Sequence, residues 1–340
     1  MPLKQPLLAP PLKIGDMIGF FSPSFPVTMT TLNSFNRAKN FFINKGFRLK
    51  AGNLTVKSDF YRSGTIRERT DELNTLFRDP EVRCIMSTTG GYNSNYLLPY
   101  LDYQALVQDP KIIIGYSDDT ALLAGIYAKI GLVTFYGPAL VAFFGELPTF
   151  VNETYQHFCK LLMHPCAKPY YYNLPYKWID ERLNRGTSEP IRRRLPYKNK
   201  CFFWGKGTVE GRVIGGNLNT LSGITYSKWM PEIQDGDILF IEESQLDIAI
   251  FERSFSMLKS NGVFDKVNAI ILGKRVLFND AVSGRQLCDV LREVLAEKPL
   301  PLVDGFDCSH RHPMLTLPFG ARLRIDFDNH IVAIIGQYLS

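Results

Sequence analysis

The stretch KIIIGYSDDTALL, from Lys111 to Leu123, joins an apolar run to a helical pattern through a glycine, a serine and paired aspartates. The isoleucines fit a strand buried in a parallel sheet. Gly115 permits a tight turn, so Ser117 would lie between strand and helix with its hydroxyl pointing away from the sheet. The stretch resembles a G-x-S-x-G nucleophile elbow without the second glycine. Alone, it does not distinguish a nucleophilic Ser117 from a serine that caps the helix.

The chain before this stretch alternates strand-like and helix-like segments. These segments are DMIGFFS (16–22), TLNSFNRAKNFFINKG (31–46), FRLKAGN (47–53), TIRERTDELNTLF (65–77), RCIMSTT (83–89) and YNSNYLLPYL (92–101), of which the last predicts a helix. Strands separated by helices imply right-handed crossovers and a mostly parallel sheet. We therefore predict an N-terminal α/β domain over residues 1–154, which carries the elbow.

The rest of the chain divides into two parts. Residues 155–206 are rich in Pro, Tyr, Arg and Lys and predict a connecting segment. Residues 207–340 return to strands and helices and predict a C-terminal α/β domain. Near its end, TLPFGARLRIDFDNHIVAIIG (316–336) alternates apolar and polar residues around Asp328 and Asn329, which is typical of a closing β-hairpin.

The composition favours a cytoplasmic globular protein. The 340 residues are 45% hydrophobic, and the net charge of +6 is spread along the chain, so nothing favours a nucleic-acid partner. The basic run 192–194 is interpreted as a solvated loop rather than a phosphate site.

The six cysteines are scattered and suggest reduced thiols. The apolar tract 121–145 is broken by lysine, proline and glycine, so no membrane span is expected.

Functional groups in open α/β sheets collect beyond the carboxyl ends of the strands. Besides the elbow, one such end carries Gly90 and Gly91, whose backbone N–H groups could face an oxyanion or a phosphate, although a tight turn explains the pair equally well. Another ends in Glu242 and Glu243 after the apolar run LFI. Glu242, the first residue past that run, is the better candidate to orient an imidazole. The turn-like segment from Gly215 to Thr220 opens a helix but lacks a nucleotide-binding pattern.

The imidazole would come from DCSHRHPMLTLP, which follows a predicted strand. His157, His164 and His330 read as surface residues, which leaves His310 and His312. A zinc site formed by Cys308, His310 and His312 is the less favoured alternative. No further cluster of cysteine or histidine supplies the remaining ligands that zinc expects.

Together these segments resemble the LD-carboxypeptidase and microcin C immunity family of serine peptidases, on its immunity branch. The motifs that carry the resemblance are PLKIGDMIGFFSPSFP (11–26), DFYRSGTIRERTDELN (59–74), STTGGYNSNYLLPYLDY (87–103), IIIGYSDDTALLAGIYAKIGLVTFYGPAL (112–140), GTVEGRVIGGNLNTLSGI (207–224), WMPEIQDGDILFIEES (229–244) and GFDCSHRHPMLTLPFG (305–320). They spread over nearly the whole chain.

The resemblance implies a triad of nucleophile, general base and orienting carboxylate that closes between the two domains. In this sequence its members would be Ser117, His310 and Glu242. An oxyanion hole would form from the backbone N–H groups of Asp118 and of the Gly90–Gly91 turn. The helix-capping role would then pass to the aspartates after Ser117. No metal or organic cofactor is implied.

For the substrate, the resemblance implies a small-molecule aminoacyl- or peptidyl-nucleotide, which the connecting segment 155–206 would help to bind. Cleavage of its amide would detoxify a microcin C-like antibiotic that blocks aspartyl-tRNA synthetase. Asn217 and Asn219 are implied substrate-binding residues. Immunity members carry a tryptophan that stacks on the nucleobase where this chain has Arg185, and nearby Trp178 could take over that platform. A homodimer is also implied.

Two alternatives stay open from the sequence. A murein tetrapeptide LD-carboxypeptidase would use the same triad, but the basic and aromatic segment 178–206 suits an anionic nucleotide better than a peptide stem. A catalytically silent protein that sequesters a nucleotide would require the triad to be misaligned.

Overall fold

The computed structural model describes residues 5–146, 150–164, 169–179, 197–244, 246–276, 278–296 and 298–340. Arg185 and the basic run 192–194 lie outside the described residues. Within the described residues, no helix combines the length and the apolarity needed to cross a membrane.

The strands alternate with helices through most of the chain, as the sequence predicts. The strands are β1 (Met17–Phe21), β2 (Arg48–Ala51), β3 (Val82–Ser87), β4 (Ile112–Gly115), β5 (Thr134–Tyr136), β6 (Tyr170–Tyr171), β7 (Lys177–Trp178), β8 (Tyr197–Lys198), β9 (Phe202–Trp204), β10 (Thr208–Asn217), β11 (Ile238–Glu242), β12 (Ala269–Gly273), β13 (Leu302–Phe306), β14 (Leu317–Phe319), β15 (Arg322–Asp326) and β16 (Ile331–Ile334).

The helices pack on the faces of the sheets. They are α1 (Val27–Thr30), α2 (Leu32–Asn44), α3 (Ile66–Arg78), α4 (Tyr103–Gln108), α5 (Thr120–Ile130), α6 (Leu140–Phe144), α7 (Val151–Leu162), α8 (Leu218–Ser222), α9 (Ile248–Ser260), α10 (Val263–Lys266) and α11 (Leu287–Leu295). Short 3-10 turns cover Asn95–Tyr100 and Ser117–Asp119.

The first sheet has the order β14-β5-β4-β3-β1-β2. Its pairs are parallel except that of β14 with β5, so a strand from the C-terminal half completes the sheet. The β4 strand lies inside the sheet and is buried throughout, as its isoleucines require. Ser117 therefore follows the carboxyl end of an interior strand.

The second sheet has the order β6-β16-β15-β10-β11-β12-β13-β9. Its central strands β10 to β13 are parallel, and the hairpin of β15 and β16 turns at 327–330. The predicted fold class, two α/β parts with a closing hairpin, is confirmed. The segment 155–206 contributes the edge strands β6 and β9, while the boundaries at 154 and 206 stay a prediction.

Three details differ from the sequence interpretation. Gly215 and Gly216 lie inside β10 rather than in a turn, and the helix starts only after Asn217. His157 is buried on α7 rather than on the surface, and burial lowers its pKa to about 4. The segment 92–101, which reads as a helix, forms a shorter 3-10 turn that contains Pro99.

Candidate active site

Ser117 lies on a strained turn between β4 and α5. Its φ is 58°, in the left-handed region that non-glycine residues rarely adopt. A side chain at Gly115 would overlap the Asp119 carboxylate, since an added Cβ would lie 2.4 Å from its Oδ2. The glycine before the serine is therefore needed so that Asp119 can fold back under the turn.

The two aspartates after Ser117 hold the turn through different contacts. Asp119 accepts hydrogen bonds from the Tyr116 N–H (3.1 Å) and the Ser87 hydroxyl (2.5 Å). The Asp118 carboxylate accepts from the Ser24 hydroxyl at 2.5 Å and from the N–H groups of Asn93 and Ser94. Asp118 thus holds neighbouring loops and Asp119 bonds back to the turn, so neither side chain caps α5, which corrects the capping role expected for both.

The Gly90–Gly91 turn lies against the serine. A Cβ added to Gly90 would lie 2.8 Å from the Ser117 Cβ, 3.0 Å from its Oγ and 3.3 Å from the Asp118 nitrogen. At Gly91 an added Cβ would overlap Ser24. Close packing therefore requires both glycines, Gly90 against Ser117 and Gly91 against Ser24. The oxyanion role of Gly90, Gly91 and Asp118 stays a prediction.

Replacing Gly90 with alanine is expected to lower kcat by about a hundredfold or more. The new methyl group would displace the Ser117 side chain, and displacements of this size disturb reactive geometry strongly. Gly223→Ala is the matched control, because an added Cβ there approaches nothing closer than 3.3 Å. Steady-state hydrolysis and thermal unfolding of both variants would test this. Equal activity of the two variants would show that Gly90 does not crowd the serine.

Glu242 and His310 form a buried pair at the carboxyl ends of β11 and β13. The His310 Nδ1 lies 2.7 Å from the Glu242 Oε2, and their side chains are 6% and 0% exposed. Burial alone would raise the pKa of Glu242, but the neighbouring His310 and several hydrogen bonds hold it below its usual range. The carboxylate is therefore ionised and positioned to orient the imidazole.

Asn217 fixes the second oxygen of Glu242. These residues are neighbours on the parallel strands β10 and β11, and the Asn217 Nδ2 donates to the Glu242 Oε1 and to the Glu243 Oε1, each at 3.0 Å. The Asn217 Oδ1 accepts from Thr220 and caps α8. Both ends of this amide are bonded within the protein. Its substrate contact stays a prediction.

A single cavity of about 330 Å³ contains Ser117 and His310. Its wall also includes Gly90, Gly91 and the exposed Asn219, beside which Glu243 accepts from the Asn219 N–H at 2.9 Å. Burial and the adjacent Glu242 raise the pKa of Glu243. The remaining lining residues are Phe25, Thr89, Tyr92, Tyr116, Asn217, Thr220, Ser244 and Leu246. The cavity has room for a small substrate beside the serine.

The predicted nucleobase platform lies apart from this cavity wall. Trp178 stacks on Tyr197 with ring centroids 4.6 Å apart, and the Arg311 guanidinium lies 3.9 Å above the indole. The other residue predicted for this contact, Arg185, is outside the described residues. Stacking of a base on Trp178 stays a prediction.

The alternating residues Cys308, His310 and His312 take separate partners. The Cys308 thiol points to the Tyr136 carbonyl at 3.6 Å, His310 contacts Glu242, and the His312 ring packs against Phe143. In the part of the chain that the structure describes, no three His, Cys, Asp or Glu side chains are grouped to hold a metal ion.

Buried Glu72 joins the loop that follows β1 to the loop that follows β2. Its carboxylate accepts from the N–H groups of Ser22 (3.1 Å) and Leu54 (2.7 Å), and burial raises its pKa to about 7. A folded-state pKa above the unfolded value means that the folded protein binds this proton more tightly. The resulting stability is present in full below about pH 4.5 and is lost as the pH rises through about 7.

The free energy of unfolding of the wild type should therefore decline between about pH 5 and pH 8. We expect Glu72→Gln to remove the part of this decline that is due to Glu72, which is on the order of 3 kcal/mol at most. Urea unfolding at several pH values measures this slope. The exposed Glu81→Gln serves as the control and should follow the wild-type slope. A Glu72→Gln profile parallel to that of the wild type would refute the titration of Glu72.

Sequence reasoning missed one contact of the site. Tyr136 ends β5, beside β4, and its hydroxyl touches both Ser117 and Glu242. The strand-end rule that singled out the elbow applies equally to LVTFYGPAL, so the sequence did contain a signal for this residue.

Comparisons with known proteins agree with this architecture. Residues 18–137 match the LD-carboxypeptidase N-terminal domain, and residues 210–325 match the LD-carboxypeptidase C-terminal domain. The chain is 61% identical over 336 residues to the microcin C7 self-immunity protein MccF of Escherichia coli, which covers 99% of this chain and 98% of that protein.

Solved structures of MccF are similar over almost the full length. The complex of MccF with aspartyl sulfamoyl adenosine has a TM-score of 0.97 and 61% identity, covering 98% of this chain and 100% of that chain. A complex of MccF with glutamyl sulfamoyl guanosine has a TM-score of 0.97 and 60% identity with the same coverage.

Proposed function

The chain belongs to the LD-carboxypeptidase family, and on that premise we propose that it is a serine peptidase acting on aminoacyl- or peptidyl-nucleotides. It hydrolyses the amide that joins an aspartyl or peptidyl group to a nucleotide phosphoramidate. The reaction detoxifies microcin C-like antibiotics. It takes place in the cytoplasm, where the protein acts as a homodimer.

One observation carries this proposal. The 2.7 Å contact between Glu242 and His310 lies on the second sheet, and Ser117 on the first sheet faces the same cavity. A carboxylate paired with an imidazole, and a serine that faces the same cavity as this imidazole, are the components of acyl transfer. The similarity to MccF, whose structures hold aspartyl and glutamyl sulfamoyl nucleosides, supports the choice of substrate.

The proposed reaction has two steps. The Ser117 Oγ attacks the amide carbonyl while His310 takes its proton, and the oxyanion is held by the N–H groups of Asp118 and the Gly90–Gly91 turn. His310 then gives the proton to the leaving nitrogen, which releases the nucleotide part. In the second step, His310 takes a proton from water, whose oxygen attacks the acyl-enzyme, and His310 then returns this proton to the departing Ser117 Oγ, which frees the acid and restores the enzyme.

Substrate choice is tested by parallel incubations of the purified protein with aspartyl sulfamoyl adenosine, aspartyl sulfamoyl guanosine and a murein tetrapeptide. Mass spectrometry should detect aspartate and a free sulfamoyl nucleoside. The ratio of the rates for the two nucleosides gives the base preference. Cleavage of the tetrapeptide alone would replace the proposal with a murein LD-carboxypeptidase.

A further inference from the structure

Tyr136 joins the two halves of the site through one buried hydroxyl. Its side chain is 1% exposed and lies at the end of β5, next to the strand that carries the elbow. The Ser117 N–H donates to the Tyr136 hydroxyl at 2.8 Å. The same hydroxyl lies 2.5 Å from the Glu242 Oε1, which belongs to the second sheet.

The direction of these hydrogen bonds follows from the chemistry of the groups. A backbone N–H can only donate, so the Tyr136 oxygen accepts from Ser117. Its own proton must then point to Glu242, whose ionised carboxylate can only accept. Burial and the nearby Glu242 raise the pKa of Tyr136 well above its ordinary value, which keeps the hydroxyl protonated.

Each end of the bridge constrains a catalytic group. At Glu242, the hydroxyl and Asn217 together hold Oε1, which fixes the rotation of the carboxylate and leaves Oε2 for His310. At Ser117, the contact holds the N–H of a residue in the left-handed conformation. This N–H is thereby committed to Tyr136, so it is not a donor to the oxyanion.

We propose that Tyr136 is a positioning residue for the reaction, a hydrogen-bonded bridge that sets the serine turn relative to the Glu242–His310 pair. The inference rests on the serine peptidase chemistry proposed above. Tyr136 touches neither substrate nor the reacting oxygen and acts through Ser117 and Glu242.

The test is Tyr136→Phe, with Tyr103→Phe as the matched control. Tyr103 also loses a hydroxyl that donates within the protein, to the Leu98 carbonyl at 2.7 Å, but outside the cavity wall. We expect Tyr136→Phe to lower kcat roughly ten- to a hundredfold with little change in KM, which is the range for one lost hydrogen bond to a charged group. Tyr103→Phe should keep the wild-type kcat.

A pH profile separates positioning from general stability. In Tyr136→Phe the Glu242 carboxylate loses one hydrogen bond, so its negative charge stabilises a protonated imidazole at His310 more strongly. The acid limb of kcat/KM should therefore move to higher pH in this variant. Introducing 3-fluorotyrosine at position 136 keeps the hydroxyl and strengthens its donation, so that limb should move to lower pH. The 3-fluorotyrosine variant tests the proposal even if Tyr136→Phe fails to fold. An unmoved acid limb in the folded variants would overturn the proposal.

Labelling with a fluorophosphonate probe separates this inference from the substrate assignment. The probe reports the reactivity of the serine without any nucleotide substrate. Slower labelling of Tyr136→Phe than of wild type supports the bridge even if no nucleotide is cleaved. Equal labelling rates would overturn the bridge, while an unreactive wild-type protein would overturn the proposed serine chemistry and the inference with it.

Discussion

Ser117→Ala is expected to abolish hydrolysis, with kcat falling by about a millionfold, the scale seen when a triad serine is removed. Alanine offers no oxygen to form the acyl-enzyme. The fold should persist, because serine and alanine both carry a Cβ, so the cost of the left-handed backbone at position 117 is similar for the two. The side chain is only half-buried, so little packing is lost.

The measurement combines product analysis by mass spectrometry with thermal unfolding. Ser254→Ala is the control, since this buried serine donates only to the Ile250 carbonyl of its own helix, α9. The control should retain wild-type activity. Turnover by Ser117→Ala within tenfold of wild type would remove Ser117 from the mechanism.

Glu242→Gln is the second change with a large expected effect, a loss of about 10⁴-fold in kcat. The Glu242 Oε1 accepts hydrogen bonds from Tyr136 and Asn217, so in Glu242→Gln the amide oxygen must occupy this position. Its NH₂ group then faces the His310 Nδ1. The imidazole is forced to keep its proton on Nε2, where it cannot act as a base toward Ser117.

Glu243→Gln is the comparison that identifies the working carboxylate. Glu243 accepts from Asn217, Asn219 and Ser244 and contacts no imidazole in the described structure. Its replacement should cost less than tenfold in kcat, measured with the same substrate. A greater loss in Glu243→Gln than in Glu242→Gln would transfer the orienting role to Glu243.

Local sequence rules were sufficient for the strand ends. The run of isoleucines before Gly115 fixed β4, and the apolar LFI run before Glu242 placed that carboxylate at the end of β11. Because the carboxyl ends of parallel strands collect functional groups, the amino-acid pattern is enough to select these residues. The approach of these strand ends from two different sheets, bridged by Tyr136, could not be derived this way, and its expectation came from the family resemblance.

Contacts between distant segments explain what the sequence reasoning missed. The strand-end rule could have selected Tyr136, but only the fold shows that its hydroxyl lies opposite Glu242. Gly216 is interpreted from the sequence as a turn residue, yet it lies in β10, and the residue is glycine because an added Cβ there would overlap the Thr120 side chain of α5. His157 lies on a helix of mixed polarity whose buried face depends on its tertiary neighbours.

The nucleophile itself can be identified by peptide mapping of protein mixed with aspartyl sulfamoyl adenosine and quenched in acid during turnover. We predict a mass increase of one aspartyl group on the peptide that contains Ser117, and no such adduct in Ser117→Ala. Consumption of the substrate with the adduct on another residue, or with no adduct on Ser117 at any quench time, would contradict it.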